Sequence, residues 1–158
     1  MSTEASLRFP NLEARNLNGK RIHLPAGFGG ARNVVLIAFR RWHQSLVDSW
    51  FPYLDQLMSM RPDLRAYELP LISSLYSVAR PFIDGGMAAA IPDPRVRERT
   101  LTVYTDVGRV TAALGIRNQT TITVLLVDRD GRIFWRGEGA YAPQRAVELE
   151  RALAAEGR

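Results

Sequence analysis

The sequence predicts one α/β domain, in which helices pack on a mixed β-sheet. Two observations carry this prediction. Short apolar runs rich in β-branched residues alternate with stretches of helical spacing, and the chain closes with a hairpin followed by a helix. The 158 residues suffice for one core, and 46% apolar with 23% charged residues is ordinary for a folded domain. No linker or repeat divides the chain, so the domain is expected to span residues 5–158.

The first third of the chain predicts an N-terminal β-hairpin and then a central strand. Two extended runs, residues 7–12 and 21–24, flank Asn18 and Gly19, a pair typical of tight turns because both residues tolerate positive φ. Residues 33–39 are almost continuously apolar and rich in β-branched side chains. Such a run is typical of a strand that is buried on both faces.

A helix is predicted next, because apolar side chains from Leu46 to Met58 recur at intervals of three and four residues. Ser45 and Asp48 have the spacing of a capping box and would begin this helix. Pro52 lies inside it and should bend it, since proline removes a backbone hydrogen bond and clashes with the preceding turn.

The rest of the chain alternates in the same way. A strand over residues 67–75 contains Pro70, which argues for an irregularity or an exposed edge there. Pro81 should open a helix that runs to residue 91. Thr105 or Asp106 should cap a helix over residues 107–114, which Gly115 ends. The remaining predicted elements are a strand at residues 100–104, a hairpin of residues 122–127 and 132–136, and a helix over residues 143–155.

Composition excludes several kinds of chemistry. The chain has no cysteine, which excludes disulfides, thiol nucleophiles, CxxC redox chemistry and cysteine-based zinc sites. Its two histidines, His23 and His43, are not accompanied by clustered carboxylates, so we predict no metal site and no cofactor. The net charge of +5 is spread along the chain without a long basic stripe, so specific nucleic-acid binding is not expected.

The sequence also carries an expectation about location. It contains no run of about 18 apolar residues, which a transmembrane helix requires. Residues 1–8 include Glu4 and lack the apolar stretch of a secretory signal. We therefore expect a cytoplasmic protein, and the sequence leaves monomer and homodimer open.

Several motifs, taken in order, resemble the thioredoxin fold in its peroxiredoxin-like branch. They are residues 9–12, 17–20, 34–39, 101–116 and 123–133. The resemblance implies a three-layer α/β/α sandwich with a mixed central sheet and an N-terminal β-hairpin. Counted from Phe39 and Pro52, the redox motif of that fold falls on residues 44–47, where Gln44 and Val47 replace both cysteines. The resemblance therefore implies neither thiol-disulfide exchange nor peroxidase activity.

The cis-proline of that fold is also missing. Its position falls at Ile122, or at Thr123 if the preceding turn is one residue shorter. Cis bonds before residues other than proline are costly, so we expect an ordinary trans peptide bond there.

A second set of motifs is more specific: VDSW at residues 47–50, Asn118, and LVDRDGRIFWRGEG at residues 126–139. These motifs resemble those of the thioredoxin-like assembly factors of the mitochondrial ATP synthase. Members of that family lack the redox pair and act as chaperones for a membrane subunit of the proton-conducting sector. The resemblance implies a protein partner, with a membrane-complex subunit as the candidate, and it is compatible with a position peripheral to a membrane.

These observations predict a non-redox binding or assembly protein that acts through the loop at residues 40–47 and the former proline position. Trp42 would supply apolar contact area, and arginines near the strand ends would hold acidic groups of a partner. The predicted binding residues are Arg40, Arg41, Trp42, His43, Gln44, Val47, Arg117 and Ile122.

An enzyme is the alternative, with the same fold repurposed for non-thiol chemistry. His43 would be its general base, since histidine titrates close to neutral pH, and Asp48 and Asp106 would orient the ring. An exposed apolar patch over the loop would favour binding. A deep pocket joining His43, an arginine and a carboxylate would favour the enzyme.

Overall fold

A computed structural model describes residues 7–156. Its strands are β1 (Leu12–Asn16), β2 (Arg21–Leu24), β3 (Arg32–Ala38), β4 (Leu64–Ser73), β5 (Leu101–Thr105), β6 (Thr123–Val127) and β7 (Ile133–Glu138). Its helices are α1 (Gln44–Met60), α2 (Arg80–Ala90), α3 (Pro94–Glu98), α4 (Val107–Leu114) and α5 (Pro143–Glu156). The strands form one seven-stranded mixed sheet in the order β2-β1-β5-β4-β3-β6-β7.

Two apolar cores lie on opposite faces of this sheet. Strand β3 supplies both, because Val35 and Ile37 belong to one core while Val34 and Leu36 belong to the other. The first core includes side chains of α4 and the N-terminal Phe9, and the second includes side chains of α1 and α5. This arrangement confirms the predicted α/β/α sandwich and the doubly buried central strand.

Strand directions decide which loops meet. Strands β3, β4 and β5 are mutually parallel, and β6 runs antiparallel to β3. The carboxyl ends of β3 and β4 and the amino end of β6 therefore lie together, at what we call the carboxyl end of the sheet. Three segments emerge there: residues 39–43, residues 74–79 and residues 117–122.

The predicted first strand was misplaced. Strand β1 begins at Leu12, where the prediction ended, because the turn at Asn18 and Gly19 sets the pairing of Arg15 with Arg21 and of Leu12 with Leu24. Gly19 has a φ of 88°, which confirms the tight turn. Residue Phe9 instead donates its N–H to the Gly131 carbonyl at 2.8 Å, so this segment is held by a different loop.

The start of helix α1 also differs from the prediction. A short 3₁₀ turn, Arg41–His43, leads directly into the helix, which therefore begins at Gln44. Ser45 lies inside the first turn and donates its hydroxyl to the Trp42 carbonyl, so it does not act as the cap. Pro52 is inside the helix, as expected, and the bend that it should cause stays a prediction.

Pro70 lies where the pairing between β4 and β5 is interrupted, and not at an edge of the sheet. Strand β4 is flanked by β3 and β5, which excludes the edge position. Towards β5 the pairing consists of an isolated bridge between Glu68 and Thr100, and it resumes only at Leu71 and Val103. Proline has no N–H to donate, which accounts for the gap.

The residues predicted to begin or end helices α2 and α4 do so in the structure. The Asp106 carboxylate accepts the Arg109 N–H as the cap of α4, and Gly115 ends that helix with a φ of 65°. Pro81 lies in the first turn of α2. Helix α3 was not predicted, although Asp93 accepts the Arg95 N–H at 2.9 Å as its cap.

Candidate functional site

The predicted site lies at the carboxyl end of the sheet. Arg40, Arg41 and Trp42 follow β3 and are exposed, with 56% of the Trp42 surface accessible. The Arg40 guanidinium donates from Nε to the Gln119 carbonyl at 3.2 Å, which ties this loop to the segment before β6. Arg117 is exposed on that same segment. The fold thus brings four predicted residues to one surface.

Two predicted contact residues lie beneath this surface and not on it. Val47 and Ile122 are fully buried in the core between the sheet and α1. Val47 shares the inward stripe of α1 with Trp50 and Leu54, which follow at helical intervals. Both side chains support the loop from below, and neither can touch a partner. The peptide bond before Ile122 is trans, since Leu24-Pro25 is the single cis bond between described residues.

His43 is turned into the protein. Its Nδ1 accepts the backbone N–H groups of Phe39 at 3.0 Å and Arg40 at 3.2 Å. The Trp42 ring packs edge-on against it, with centroids 4.6 Å apart. The imidazole therefore holds the turn after β3 by accepting hydrogen bonds from its backbone.

This geometry does not support His43 as a general base. Burial is the main cause that lowers its pKa below the ordinary value, the charge of Arg40 adds to the shift, and the Thr120 backbone opposes it. Its Nδ1 lone pair is already occupied by two backbone N–H groups, so the neutral ring carries its proton on Nε2, and that nitrogen is buried. A base needs an open nitrogen within reach of a substrate proton, and His43 offers none.

Gln44, at the position of the first motif cysteine, bridges two carboxylates. Its amide nitrogen donates to Asp48 at 2.9 Å and to Glu68 at 3.2 Å. Glu68 is buried, and this burial raises the pKa of its carboxyl. Asp48 also raises that pKa, whereas the Gln44 hydrogen bond and the charge of Arg99 lower it. Glu68 was not among the predicted site residues, although a charged residue inside an apolar run was a visible signal.

A second set of exposed side chains lies at the same end of the sheet. The 3₁₀ helix Ser74–Ala79 after β4 and the start of α2 expose 88% of Leu75, 92% of Val78 and 85% of Phe82. Tyr76, between them, is exposed as well. We call these four residues the apolar segment. None of them was predicted as functional, because their apolar character alone would equally suit a core.

Polar contacts attach α2 to the sheet beside the apolar segment. The Arg80 guanidinium donates to Thr102 and to Asp84, and Asp84 also accepts hydrogen bonds from the hydroxyls of Thr102 and Tyr104. These groups attach α2 to β5, and the helix has no fully buried residue. Burial and the bond to Asp84 raise the pKa of Tyr104. Arg80 therefore serves to hold α2 against β5.

A family model described as ATP10 protein matches residues 1–154 of the chain. This chain belongs to the ATP10 family. The family is one of ATP synthase assembly factors, so the resemblance seen in the sequence motifs is confirmed. The absence of cysteine in this ATP10 family member agrees with the non-redox character that the motifs implied.

Solved structures support the fold of this family member. BsSco, a member of the Sco family of cytochrome c oxidase assembly proteins, has a TM-score of 0.62 at 12% identity and covers 95% of this chain and 94% of its own. A thiol-disulfide oxidoreductase from Bacteroides fragilis has a TM-score of 0.61 at 11% identity, and the match covers 91% of this chain and 98% of the oxidoreductase. The exposed lipoprotein thioredoxin of Streptococcus pneumoniae has a TM-score of 0.58 at 15% identity, and the match covers 92% of this chain and 99% of the lipoprotein. At these identities the likeness shows the thioredoxin-like fold alone.

Two further comparisons are negative. A comparison with curated proteins gives no match. Within the described residues, no helix is both long enough and apolar enough to span a membrane.

Proposed function

We propose that this ATP10 family member is a non-redox assembly factor of the ATP synthase that holds an apolar stretch of a protein subunit at the carboxyl end of the sheet. The observation that carries the proposal is the exposed apolar segment, which lies beside the polar attachment of α2 to the sheet. Arg80 and Asp84 face the sheet while Leu75, Val78 and Phe82 face solvent. Large exposed apolar groups gathered in one segment are typical of interaction sites.

The energetics agree with a binding role. Burying an aliphatic or aromatic side chain of this size contributes ~1.5–3 kcal/mol, so the apolar segment offers a substantial gain to a partner that covers it. The same end of the sheet carries Trp42 and the cations of Arg40, Arg41 and Arg117. Tryptophan and arginine are the side chains most often found at the energetic centre of interfaces. The partner is expected to combine an apolar stretch with acidic groups.

Binding would be non-covalent. Val47 occupies the position of the second motif cysteine and belongs to the core, while Gln44 is held between Asp48 and Glu68. No thiol exists to form a mixed disulfide with a subunit. The loop at residues 40–47 would therefore act by its shape and charge, supported from beneath by Val47 and Ile122.

The test is affinity capture from detergent-solubilised native membranes, with quantitation of ATP synthase membrane-sector subunits. A triple variant, Leu75→Ser, Val78→Ser and Phe82→Ser, should lower their recovery at least about tenfold, because interface anchors of this kind contribute ~2 kcal/mol each. The matched control is Met60→Ser with Val147→Ser, which removes exposed apolar groups elsewhere. Full recovery by a folded triple variant would refute the proposal.

The loop has its own test. Trp42→Ala and Arg41→Glu should each weaken recovery of the same subunits without changing the melting temperature much, because both side chains are exposed. Unchanged recovery by both would remove the loop from the site and leave the apolar segment alone.

A further inference from the structure

An open cleft of about 800 Å³ lies at the opposite end of the sheet, away from the proposed binding site. It exists because the sheet divides there. Strand β4 pairs with β5 only from its residue Glu68 onward. Strand β1 pairs with β5 at just two positions, Arg15 with Thr102 and Asn16 with Leu101. Below these pairs, the first residues of β4 face the hairpin β1–β2 across a gap. This gap is the cleft, and α3 with the end of α1 forms its remaining walls.

The cleft is strongly basic. Five cationic side chains and a single carboxylate, that of Glu98, line it. The lining side chains carry a formal charge of about +4, and two of the cations also face carboxylates outside the lining, Asp93 and Asp55. The charge that looks scattered along the sequence is thus concentrated by the fold. The cationic residues are Lys20, Arg21, Arg65, Arg95 and Arg99.

Most of these cations keep donors available. Lys20 and Arg21 make no ion pair or side-chain hydrogen bond with any described residue. Arg65 uses only Nη1, which donates to the Pro62 and Leu64 carbonyls. Arg95 lies 3.5 Å from Asp93 at the exposed rim. An arginine has five N–H donors, so such partial pairing leaves donors for a ligand.

Arg99 is held in place by two contacts. It lies over the Phe51 ring at 3.9 Å and pairs with Asp55 at 3.2 Å. Its Nε is buried and has no partner in the described part of the chain. The stacked, fixed guanidinium is therefore a preformed element of the cleft.

The remaining lining adds donors and an apolar floor. The Asn16 side-chain oxygen already accepts the N–H groups of Asn18 and Lys20, so its amide group can offer only N–H donors. Strand alternation places the N–H of Ala66 on the same side of β4 as that of Glu68, and Ala66 lines the cleft. Apolar surface comes from Ile22, Met58, Ala66 and Tyr67.

We propose that this cleft binds a phosphate-bearing ligand whose adjoining apolar part lies on that floor. A lining of donors with a single carboxylate selects an anion, and five cations suit one with more than a single negative charge. Guanidinium groups match phosphate geometry in a bidentate manner, which favours phosphate over an isolated carboxylate. An anionic lipid headgroup and a soluble phosphate compound share this chemistry, and the experiment separates them.

The experiment measures binding of the full chain to two probes. The first is vesicles of phosphatidylcholine mixed equally with phosphatidylglycerol, against vesicles of phosphatidylcholine alone, by co-sedimentation. The second is inorganic pyrophosphate, by titration calorimetry. Binding to the anionic vesicles alone assigns a lipid headgroup, whereas binding of pyrophosphate assigns a soluble ligand.

Variants decide whether the cleft is responsible. Lys20→Gln with Arg21→Gln changes one wall without breaking an ion pair or a side-chain hydrogen bond to a described residue, and Arg65→Gln with Arg95→Gln changes the other. Each pair should weaken binding at least about tenfold, as expected for the loss of charge-assisted contacts. The matched control, Arg109→Gln with Arg151→Gln, removes the same charge from exposed positions outside the cleft and should change binding little.

Three outcomes would overturn the proposal. Neither probe binds, or the control pair weakens binding as much as the cleft pairs, in which case net charge alone is responsible. The third is that a probe binds but neither cleft pair weakens its binding, in which case the ligand binds elsewhere on the protein.

Discussion

Helices α1 and α2 both follow strands of the parallel part of the sheet, yet they are attached to it in opposite ways. Helix α1 buries a stripe of apolar side chains, among them Trp50 and Leu54. Helix α2 has no fully buried residue and is joined to β5 by Arg80 and Asp84. The comparison teaches that the same end of the sheet buries one helix by its apolar side chains and leaves apolar side chains of the other exposed.

The two modes of attachment differ in strength. Apolar burial contributes about 25 cal/mol per Å², so the stripe of α1 contributes several kcal/mol. A hydrogen bond contributes a net ~0.5–1.5 kcal/mol, since water would otherwise satisfy the same groups. We therefore expect α2 to open locally at a lower free energy than α1.

The largest expected effect is on α1. Trp50→Ala should lower the free energy of unfolding by about 3–5 kcal/mol, because it removes a fully buried ring and the hydrogen bond from its Nε1 to the Gly139 carbonyl. Denaturant unfolding measures this. The matched control is Trp42→Ala, which removes an exposed ring and should cost about 1 kcal/mol or less. Equal losses would contradict the assignment of Trp50 to the core and Trp42 to the surface.

Asp84→Ala should weaken the attachment of α2 to β5. Asp84 accepts hydrogen bonds from Arg80, Thr102 and Tyr104, so its loss removes three hydrogen bonds, at a cost of about 1–3 kcal/mol. Hydrogen exchange should show faster exchange of α2 amides with those of α1 unchanged. Asp63→Ala removes an exposed carboxylate and serves as control. Unchanged α2 protection, or equal loss in both helices, would refute the polar attachment.

A smaller effect concerns Glu68, the buried carboxyl beneath the start of α1. Burial raises its pKa in the folded chain, so the folded state keeps the proton to higher pH than the unfolded state does. The free energy of unfolding therefore falls as pH rises from the ordinary pKa through the raised one. Glu68→Gln removes this titration, and its stability relative to the wild type should increase between acid and neutral pH. Thermal melts across that range measure it, and a difference that does not change with pH would contradict it.

The smallest effect on stability is expected at the apolar segment. Phe82→Ser changes a side chain that is 85% exposed, so the free energy of unfolding should stay within ~0.5 kcal/mol of the wild type. Its effect should appear in partner recovery instead. A loss of stability comparable to that of Trp50→Ala would mean that Phe82 is packed against the fold, and the contrast between the helices would fail.

Local signals predicted most of the elements, because strand runs, helical spacing, Asp106 and Gly115 act through residues near in sequence. The exceptions are α3, which was not predicted, and β1, which was misplaced. The face that an element presents was harder to predict. Pro81 placed Phe82 in a predicted helix, but it could not show that Arg80 and Asp84 would turn inward, since their partners Thr102 and Tyr104 lie elsewhere in the chain.

Burial and long-range assembly limited the site predictions. A resemblance aligned Val47 and Ile122 with functional positions, but their burial depends on packing between α1 and the sheet. Similarly, the basic cleft joins Lys20 and Arg21 to Arg65 and Arg95, which are far apart in sequence. Its charge therefore could not be located from composition.

The central claim is that the apolar segment contacts a subunit of the ATP synthase. The most direct measurement places a photoreactive phenylalanine analogue at the position of Phe82, irradiates the protein with native membranes, and identifies the adducts. The same analogue at exposed Met60, outside the carboxyl end of the sheet, is the control. We predict a covalent adduct with a membrane-sector subunit from position 82 and none from position 60. No adduct at position 82, or equal adducts at both positions, would contradict the account.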